Sequence, residues 1–342
     1  MTDTDVSTLA AADGTAGVER QDRAAANGGG VWFGGLAAAA AWLIASLVTT
    51  SRPDVGDWSR TNELAIALMV IAATLAAAAV AARWVEPVAT RLRSVTPWLT
   101  VIPLAIAAWE AVTAKFPVLP QPFFPPPQAL IDVYIDDWQR LGTSVLHSLR
   151  LLGVGYLLGA TAGFLLGVSL GWSRAIGYWV HPVLRLIGPL PATAWLPLAF
   201  FAFPSSWSAS IFLIALATGF PVTILTWSGV AGVSGAYYDV ARTLGANGRF
   251  LVLKVAIPAA LPHVFVGLFM GLGASFAVLV VAEMLGVKAG LGWYLQWAQG
   301  WASYANMYAA LLVMALMCSG LITLLFRVRD HLLAWQRGLV RW

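Results

Sequence analysis

The chain offers little that catalysis could use. Cys318 is the single cysteine among 342 residues, so no disulfide can form within the chain. Its place in an apolar run fits a small packing residue. Charged residues make up only 11% of the sequence, against roughly 25% in soluble domains, which excludes an ordinary soluble fold. Lysine occurs three times, at Lys115, Lys254 and Lys288. None of them follows a G-x-x-x-x-G-K-[ST] run, so the phosphate cradle of a nucleotide hydrolase is missing. His147, His181, His263 and His331 fall in separate segments, with no Ser-His-Asp set or metal-ligand cluster around them. Each reads as a packed or interfacial residue. The chain is therefore not expected to be an enzyme, and no cofactor or metal is expected. The net charge of +4 does not argue for nucleic acid, because the basic residues cluster at the ends of apolar runs, where membrane topology places them. The first thirty residues are polar and rich in Ala, Gly and Asp. They read as a disordered tail, not as a secretory signal, since no basic patch leads into a short apolar core.

What the chain has is apolar length. It is 59% hydrophobic with a mean hydropathy of +0.77. Several runs reach the roughly 20 residues needed to cross a bilayer. None shows the alternation of a transmembrane barrel. The fold class that follows is all-α, a polytopic helical membrane protein. About eight spans are expected, at 31–50, 63–86, 97–115, 147–171, 178–203, 207–232, 258–285 and 305–327. Arginine and lysine favour cytoplasmic loops. With both termini cytoplasmic, Arg20, Arg23, Arg83, Arg91, Arg93, Arg174, Arg242, Arg249, Lys254, Arg327, Arg329, Arg337 and Arg341 lie inside. Only Arg52, Arg60, Lys115, Arg140 and Lys288 lie outside. Arg150 and Arg185 fall near span ends and stay unassigned. The first two spans, Ala-rich and joined by a short loop, read as a hairpin (31–90) appended to a core at 91–342. After the prolines at 117–127, Leu130, Val133, Tyr134 and Trp138 form one stripe, with Asp132, Asp136 and Asp137 opposite, as in a helix lying along the outer face.

Three features carry candidate function. The stretch "DVARTLGANGRFLVLKVAIPAALP" (239–262) is polar, helix-prone and held between two spans. Ser234 is placed to cap a helix, Asp239 to lie in its first turns, and Gly245 to end it in a left-handed conformation. A second short helix at 248–255 is expected to close at Pro258, with Pro262 kinking or starting the next span. An element so short cannot fold alone, so it rests on its own bundle or is gripped by a partner. The second feature, "IGPLPATAW", breaks an apolar run with Pro189 and Pro191, and such breaks are tolerated where a neighbour or a wet cavity satisfies the freed carbonyls. The third is a carboxylate, Glu283, near the end of an apolar run, followed by Gly286, Gly290 and Gly292. An acid at that depth faces the bundle interior or a wet cavity, or sits at the interface paired with Lys288. Glu110 is placed similarly and reads as a packed, hydrogen-bonded acid.

Residues 239–258 resemble the cytoplasmic loop of binding-protein-dependent ABC importer permeases. That loop reads Glu-Ala-Ala, three residues, Gly, nine residues, Ile, one residue, Leu-Pro. Here Asp239, Ala241, Gly245, Val255, Ile257 and Pro258 keep the spacing, with Asp for Glu, Val240 for the first Ala, Val255 for Ile and Ile257 for Leu. "GPLPATAWLPLAFFAF" (188–203), "IPAALP" (257–262) and "AEMLGVKAGLGW" (282–293) are similar to the nitrate, sulfonate and taurine group of these permeases. The likeness runs over roughly 97–342 and takes in "WE" at 109–110 and the basic "RW" end. The resemblance implies a type I importer half with about six core spans plus the extra hairpin, in the bacterial inner membrane. A second permease copy, a pair of ABC ATPase subunits, an external substrate-binding protein and a small solute are the implied partners, alongside membrane lipid. It implies a coupling loop at 235–256, with Asp239, Ala241, Arg242, Leu244, Gly245, Val255, Ile257 and Pro258 meeting the ATPase. It points to Pro189, Pro191, Thr193, Trp195 and Glu283 along the translocation path, and to Gly290 and Gly292 in an outer gate. The implied cargo is a small anion such as a sulfonate, taurine or nitrate, although members of the group are similar to carriers of vitamin precursors or aromatic acids. A secondary transporter driven by an ion gradient is the rival. It would need several acids at depth, and this chain offers only Glu110 and Glu283.

Overall fold

The computed structural model describes residues 32–82, 86–116 and 118–336. The expected disordered tail at 1–30, Arg83 and the basic end at 337–342 lie outside them. Among the described residues, seven helices are long and apolar enough to cross a membrane, and a bent helix pair makes an eighth crossing possible. The chain divides between Ile135 and Asp136 into two compact units.

Among the described residues, the first unit is built on three long helices. α1 (Phe33–Ser51) and α2 (Thr61–Ala81) pair as a hairpin, and α3 (Glu86–Glu110) packs on α1. Trp42, Ala45, Leu64, Leu68, Ala72 and Ala107 form the apolar seam. Small side chains on the facing helices let the axes approach closely, as association within lipid requires. The Trp42 indole N–H donates to the Leu99 carbonyl (2.9 Å), fixing the rotation of α3 against α1. α3 ends in a π turn (Ala111–Lys115) that buries Lys115. That lysine was expected outside, at the end of a span, and at the end of α3 it is buried among polar partners. Nζ lies 2.7 Å from Asp54 Oδ1 and 3.7 Å from Glu110 Oε1, and it donates to the carbonyls of Thr49 and Arg52. α4 (Pro127–Asp136) buries Leu130 and Val133 as the amphipathic pattern predicts. Trp138 leaves that stripe and is exposed, because a break at Asp137 starts a new helix there.

In the second unit the central pair is α5 (Trp138–Trp172) and α8 (Ser206–Ala231). α5 carries glycine at every fourth position from Gly155 to Gly171, and these face α8. A Cβ at Gly159 would lie 2.3 Å from the Ala215 carbonyl, and one at Gly163 would lie 2.6 Å from that of Gly219. The backbones therefore touch, which only glycine allows. Gly155 meets Ile214, Gly159 meets Ala215, Gly167 meets Thr223 and Gly171 meets Val230. Both numbers rise together, so α5 and α8 run parallel. The chain between them must travel back along their length.

That return is α6 (Arg174–Ile187), a 3-10 turn (Ala192–Trp195) and α7 (Leu196–Ala202), bent by 86° at the break. A span broken at Pro189 and Pro191 was expected within 178–203, and the break lies there. Pro189 and Pro191 cannot donate backbone hydrogen bonds to the preceding turn, so α6 stops, and Pro191 turns extended (ψ 142°) before the chain coils again. The parallel register makes the bent pair a crossing, for eight among the described residues.

α9 (Gly235–Thr243) follows, and α10 (Gly248–Leu285) runs antiparallel to α8, with Ala260 and His263 beside Gly229 and Gly271 beside Thr218. Pro258 does not close a separate short helix as expected. α10 continues through it because residues 251–256 widen into a π turn, where Ile257 N–H bonds the Val252 carbonyl five residues back. The wider turn absorbs the donor that proline lacks. α11 (Leu291–Gly300) and α12 (Tyr304–Leu332) complete the unit.

Candidate functional site

Three places in the second unit gather the residues singled out by the sequence.

At one end, α9 stands between α8 and α10. It closes with a Schellman motif: Gly245 adopts φ +81°, its N–H bonds the Arg242 carbonyl (2.9 Å), and the Ala246 N–H bonds that of Ala241 (3.0 Å). A side chain at this φ is strained, so glycine is required. Ser234 sits at the N-cap position without a side-chain hydrogen bond, and the first helical turn holds no acid. Asp239 instead pairs with Arg242 at 3.3 Å on the exposed face. Ala241 is buried, while Leu244 is 83% exposed. Tyr237, Val240, Leu244 and Phe250 surround a concavity of about 620 Å³, so a polar stretch ends in a naked apolar surface. Val255 lies in the π turn, with Ile257 and Pro258 beginning the regular helix after it.

In the middle, the broken crossing borders two concavities that share Gly188 and Phe220. One, of about 640 Å³, is lined by His181, Arg185, Pro189 and Trp227 among others. The other, of about 310 Å³, is lined by Pro191, Thr193, Ala217, Ala274 and Ala277 among others. Pro189 thus lines the first, against α8, while Pro191 and Thr193 line the second, against α8 and α10. Trp195 sits at the end of the 3-10 turn, and its indole N–H is buried with no partner among the described residues. A separate groove of about 380 Å³ between α5, α10 and α12 is lined almost wholly by leucine, with nothing to orient a polar solute.

At the end opposite α9, Glu283 is 1% exposed. Ser148 Oγ lies 2.7 Å from its Oε1, and the Gly292 N–H donates to its Oε2 at 2.8 Å. The Leu291 N–H donates to Ser148 Oγ at 2.8 Å. The carboxylate therefore satisfies the first turn of α11, where the helix dipole favours negative charge, and Ser148 ties both to α5. Gly290 makes this possible. Its φ is +112°, and a Cβ there would lie 2.2 Å from Glu283 Oε1. A Cβ at Gly292 would lie 2.5 Å from the Val280 carbonyl. No ion pair joins Glu283 to Lys288 among the described residues. Farther along α11, the Tyr294 hydroxyl donates to Asp137 Oδ2 at 2.7 Å. Burial raises the Tyr294 phenol pKa, and its bond to the Asp137 carboxylate raises it further, so the hydroxyl keeps its proton.

A family model described as "Binding-protein-dependent transport system inner membrane component" matches residues 159–338. The chain belongs to this family. It is 29% identical over 265 residues to the nitrate import permease protein NrtB of Synechococcus elongatus, covering 73% of this chain and 91% of the relative. It is 32% identical to the bicarbonate transport system permease protein CmpB of the same species, over 60% and 69% of the two chains. It is 31% identical to a protein named for aliphatic sulfonates transport, SsuC of Bacillus subtilis, over 56% and 69%. A chain of the inward-facing MetNI methionine ABC transporter superposes with a TM-score of 0.48 at 17% identity, covering 59% of this chain and 97% of that one. The permease is thus an all-α, multi-pass inner-membrane protein of the ABC importer type. Its family match contains α6 to α12, and with them all three places described above except Ser148 and Asp137.

Sequence reasoning missed Ser148, Arg185 and the glycine ladder of this permease. The ladder was legible as G-x-x-x-G repeated along 155–171. Ser148 carried no signal, since its partner lies 135 residues away.

Proposed function

We propose that this chain is the membrane half-channel of an ATP-driven importer that passes a small anion to the cytoplasm. A separate pair of ABC ATPase subunits supplies the work, a second copy of the chain completes the path, and an external binding protein delivers the solute. Both termini and α9 face the cytoplasm, and the membrane lipid surrounds the bundle. The permease core runs over 91–342 with its coupling loop at 235–256, and the hairpin at 31–90 is an addition to it. The cargo class follows the relatives named for nitrate, bicarbonate and aliphatic sulfonates.

The observation that carries this reading is the exposed Leu244 on an element fixed by the Gly245 cap and joined rigidly to α10. An apolar surface at the tip of a polar loop marks a protein contact. Asp239, Ala241, Arg242, Leu244, Gly245, Val255, Ile257 and Pro258 form this handle. A displacement there tilts α10 as one lever, because its helix is continuous from Gly248 to Leu285. At the far end the same lever carries Glu283, so Glu283, Gly290 and Gly292 act as a gate latch on α11. Pro189, Pro191, Thr193 and Trp195 line the path between. Taking such a switch from 1:99 to 99:1 requires about 5.5 kcal/mol of differential binding, which nucleotide and loaded binding protein supply together.

Replacing Gly245 with Val and, separately, Leu244 with Asp tests the handle. Both variants insert in the membrane, but neither supports uptake, and Leu244→Asp loses the ATPase on co-purification. Full uptake by Gly245→Val would overturn the coupling role.

A further inference from the structure

Arg185, exposed in the last turn of α6, has no ion-pair partner among the described residues. Its level is given by its neighbours on α8. His181 packs against Trp227 with ring centroids 4.4 Å apart, and a Cβ at Gly188 would touch Phe220. Arg185 falls between these two contacts, beside Ile224, with which it lines the larger concavity. That is about 10 Å along α8 from its end at Ala231. A helix of 26 residues is about 39 Å long and overreaches the roughly 30 Å hydrocarbon slab. With the excess shared between both ends, the arginine backbone sits about 5 Å inside the hydrocarbon edge. A cation there faces the bundle interior or a wet cavity, or snorkels to the headgroups. Here the cavity exists. It is bounded by the broken crossing, and it shares Gly188 and Phe220 with a second concavity that Thr193 lines. No carboxylate lines either concavity.

We propose that Arg185 is the charge filter of this cleft and binds the passing solute as a small oxyanion, through the fork of its guanidinium. The inference rests on the importer reading above and adds the chemistry of its path. Two parallel N–H donors match two oxygens of a planar carboxylate-like or nitrate-like group, or of a sulfonate. A single fork in a wet cleft gives weak, reversible binding, which suits a path from which solute must leave. The absence of any opposing acid in the lining makes the same cleft hostile to cations.

The test uses the complete transporter in proteoliposomes, with Cys318→Ser and a reporter cysteine at Thr193. Its rate of modification is compared for a sulfonatoethyl methanethiosulfonate, which is an anion, and the trimethylammonioethyl analogue, which is a cation. With Arg185 in place the anion reacts faster, and nitrate in excess slows it. Arg185→Gln lowers the anion-to-cation rate ratio about tenfold, as removal of one nearby charge should in a partly desolvated cleft. Arg185→Lys keeps the ratio but loses most of the nitrate protection, because the charge remains and the fork does not. A ratio unchanged in Arg185→Gln would overturn the proposal and place the guanidinium among the lipid headgroups. Failure of both reagents to react would overturn it too, since the cleft would then be dry. Uptake of nitrate, bicarbonate and ethanesulfonate by the otherwise unaltered complex separates this from the importer reading. Import of none of them with the ratio effect intact sinks the anion cargo and leaves the filter standing. Import of nitrate at an unaltered rate by Arg185→Gln sinks the filter alone.

Discussion

Among the described residues two carboxylates are buried to within 1%, and the protein solves the problem in two ways. Glu110, at 0% exposure, lies in the first unit with a cation 3.7 Å away. Thr49 Oγ1 donates to its Oε2 at 2.6 Å, and Lys115 links it to Asp54 and to the backbone of the α1 end. Glu283, in the second unit, has neutral donors only, two of them backbone N–H groups acting directly or through Ser148. A charge-paired cluster is costly to open, because each separated member is left bare in a low dielectric. A carboxylate held by neutral dipoles can exchange them for water when its cleft opens, and strands no counter-charge. The first arrangement suits a permanent staple between the hairpin and α3. The second suits a joint that opens and closes in every cycle.

The largest expected effect breaks the staple. Lys115→Met leaves Glu110 and Asp54 buried without a cation and should destabilise the first unit by about 3–5 kcal/mol. Thermal unfolding in detergent reads this as a lower midpoint. Adding Glu110→Gln to Lys115→Met should recover part of the loss, since one stranded charge is then gone. The same pair of changes should leave the second unit's unfolding step in place. A Lys115→Met variant that melts like the parent would show that the cluster contributes nothing.

Next comes the joint. Glu283→Gln keeps one acceptor for the α11 N-terminus but forfeits the charge assistance, for a loss of about 1–3 kcal/mol. Gly290→Ala adds strain at φ +112° and drives a methyl into the carboxylate, for about 1–3 kcal/mol. Gly300→Ala, where a Cβ would meet nothing within 4 Å, serves as the control and should sit within about 0.5 kcal/mol of the parent. If the joint moves in the cycle, Glu283→Gln and Gly290→Ala should also change the uptake rate by more than Lys115→Met does at a temperature where all are folded. The opposite ranking would reverse the assignment of staple and joint.

How much of this could be read beforehand depended on whether a partner was near in the chain. Span number, the Gly245 cap and the break at Pro189 and Pro191 are local matters of apolar length and backbone chemistry, and each was visible in the sequence. The second short helix was misplaced because Pro258 was read as a stop, while a π turn ahead of it lets α10 continue. The prolines placed the break in the 178–203 run, but hydropathy and proline content do not give its size, an 86° bend. Lys115 and Glu110 are five residues apart, yet only the fold brings Thr49 and Asp54 to them. Glu283 was singled out as an acid at depth, but its partner Ser148 is one hydroxyl among many. Lys288, the nearest cation in sequence, does not pair with it among the described residues.

The smallest expected effect lies on the exposed helix α9. The Asp239–Arg242 pair, at 3.3 Å, is open to solvent on both sides, and exposed pairs of this kind are worth about 0.3–0.5 kcal/mol. Asp239→Asn should therefore leave unfolding almost unchanged. Asp239→Glu restores the residue of the family pattern with one methylene more reach. If this face is a handle, its energy is realised only against a partner, so the two substitutions should separate in the ATPase's affinity for the permease while remaining alike in stability. Titrating ATPase against each variant in detergent measures this directly. Equal affinity for the parent and for the Asp239→Asn and Asp239→Glu permeases would move the contact off the acidic position and onto the apolar surface around Leu244. Glu110 and Lys115 gain their stabilisation within the fold and show it in a melt, whereas a contact surface shows it only when the partner is present.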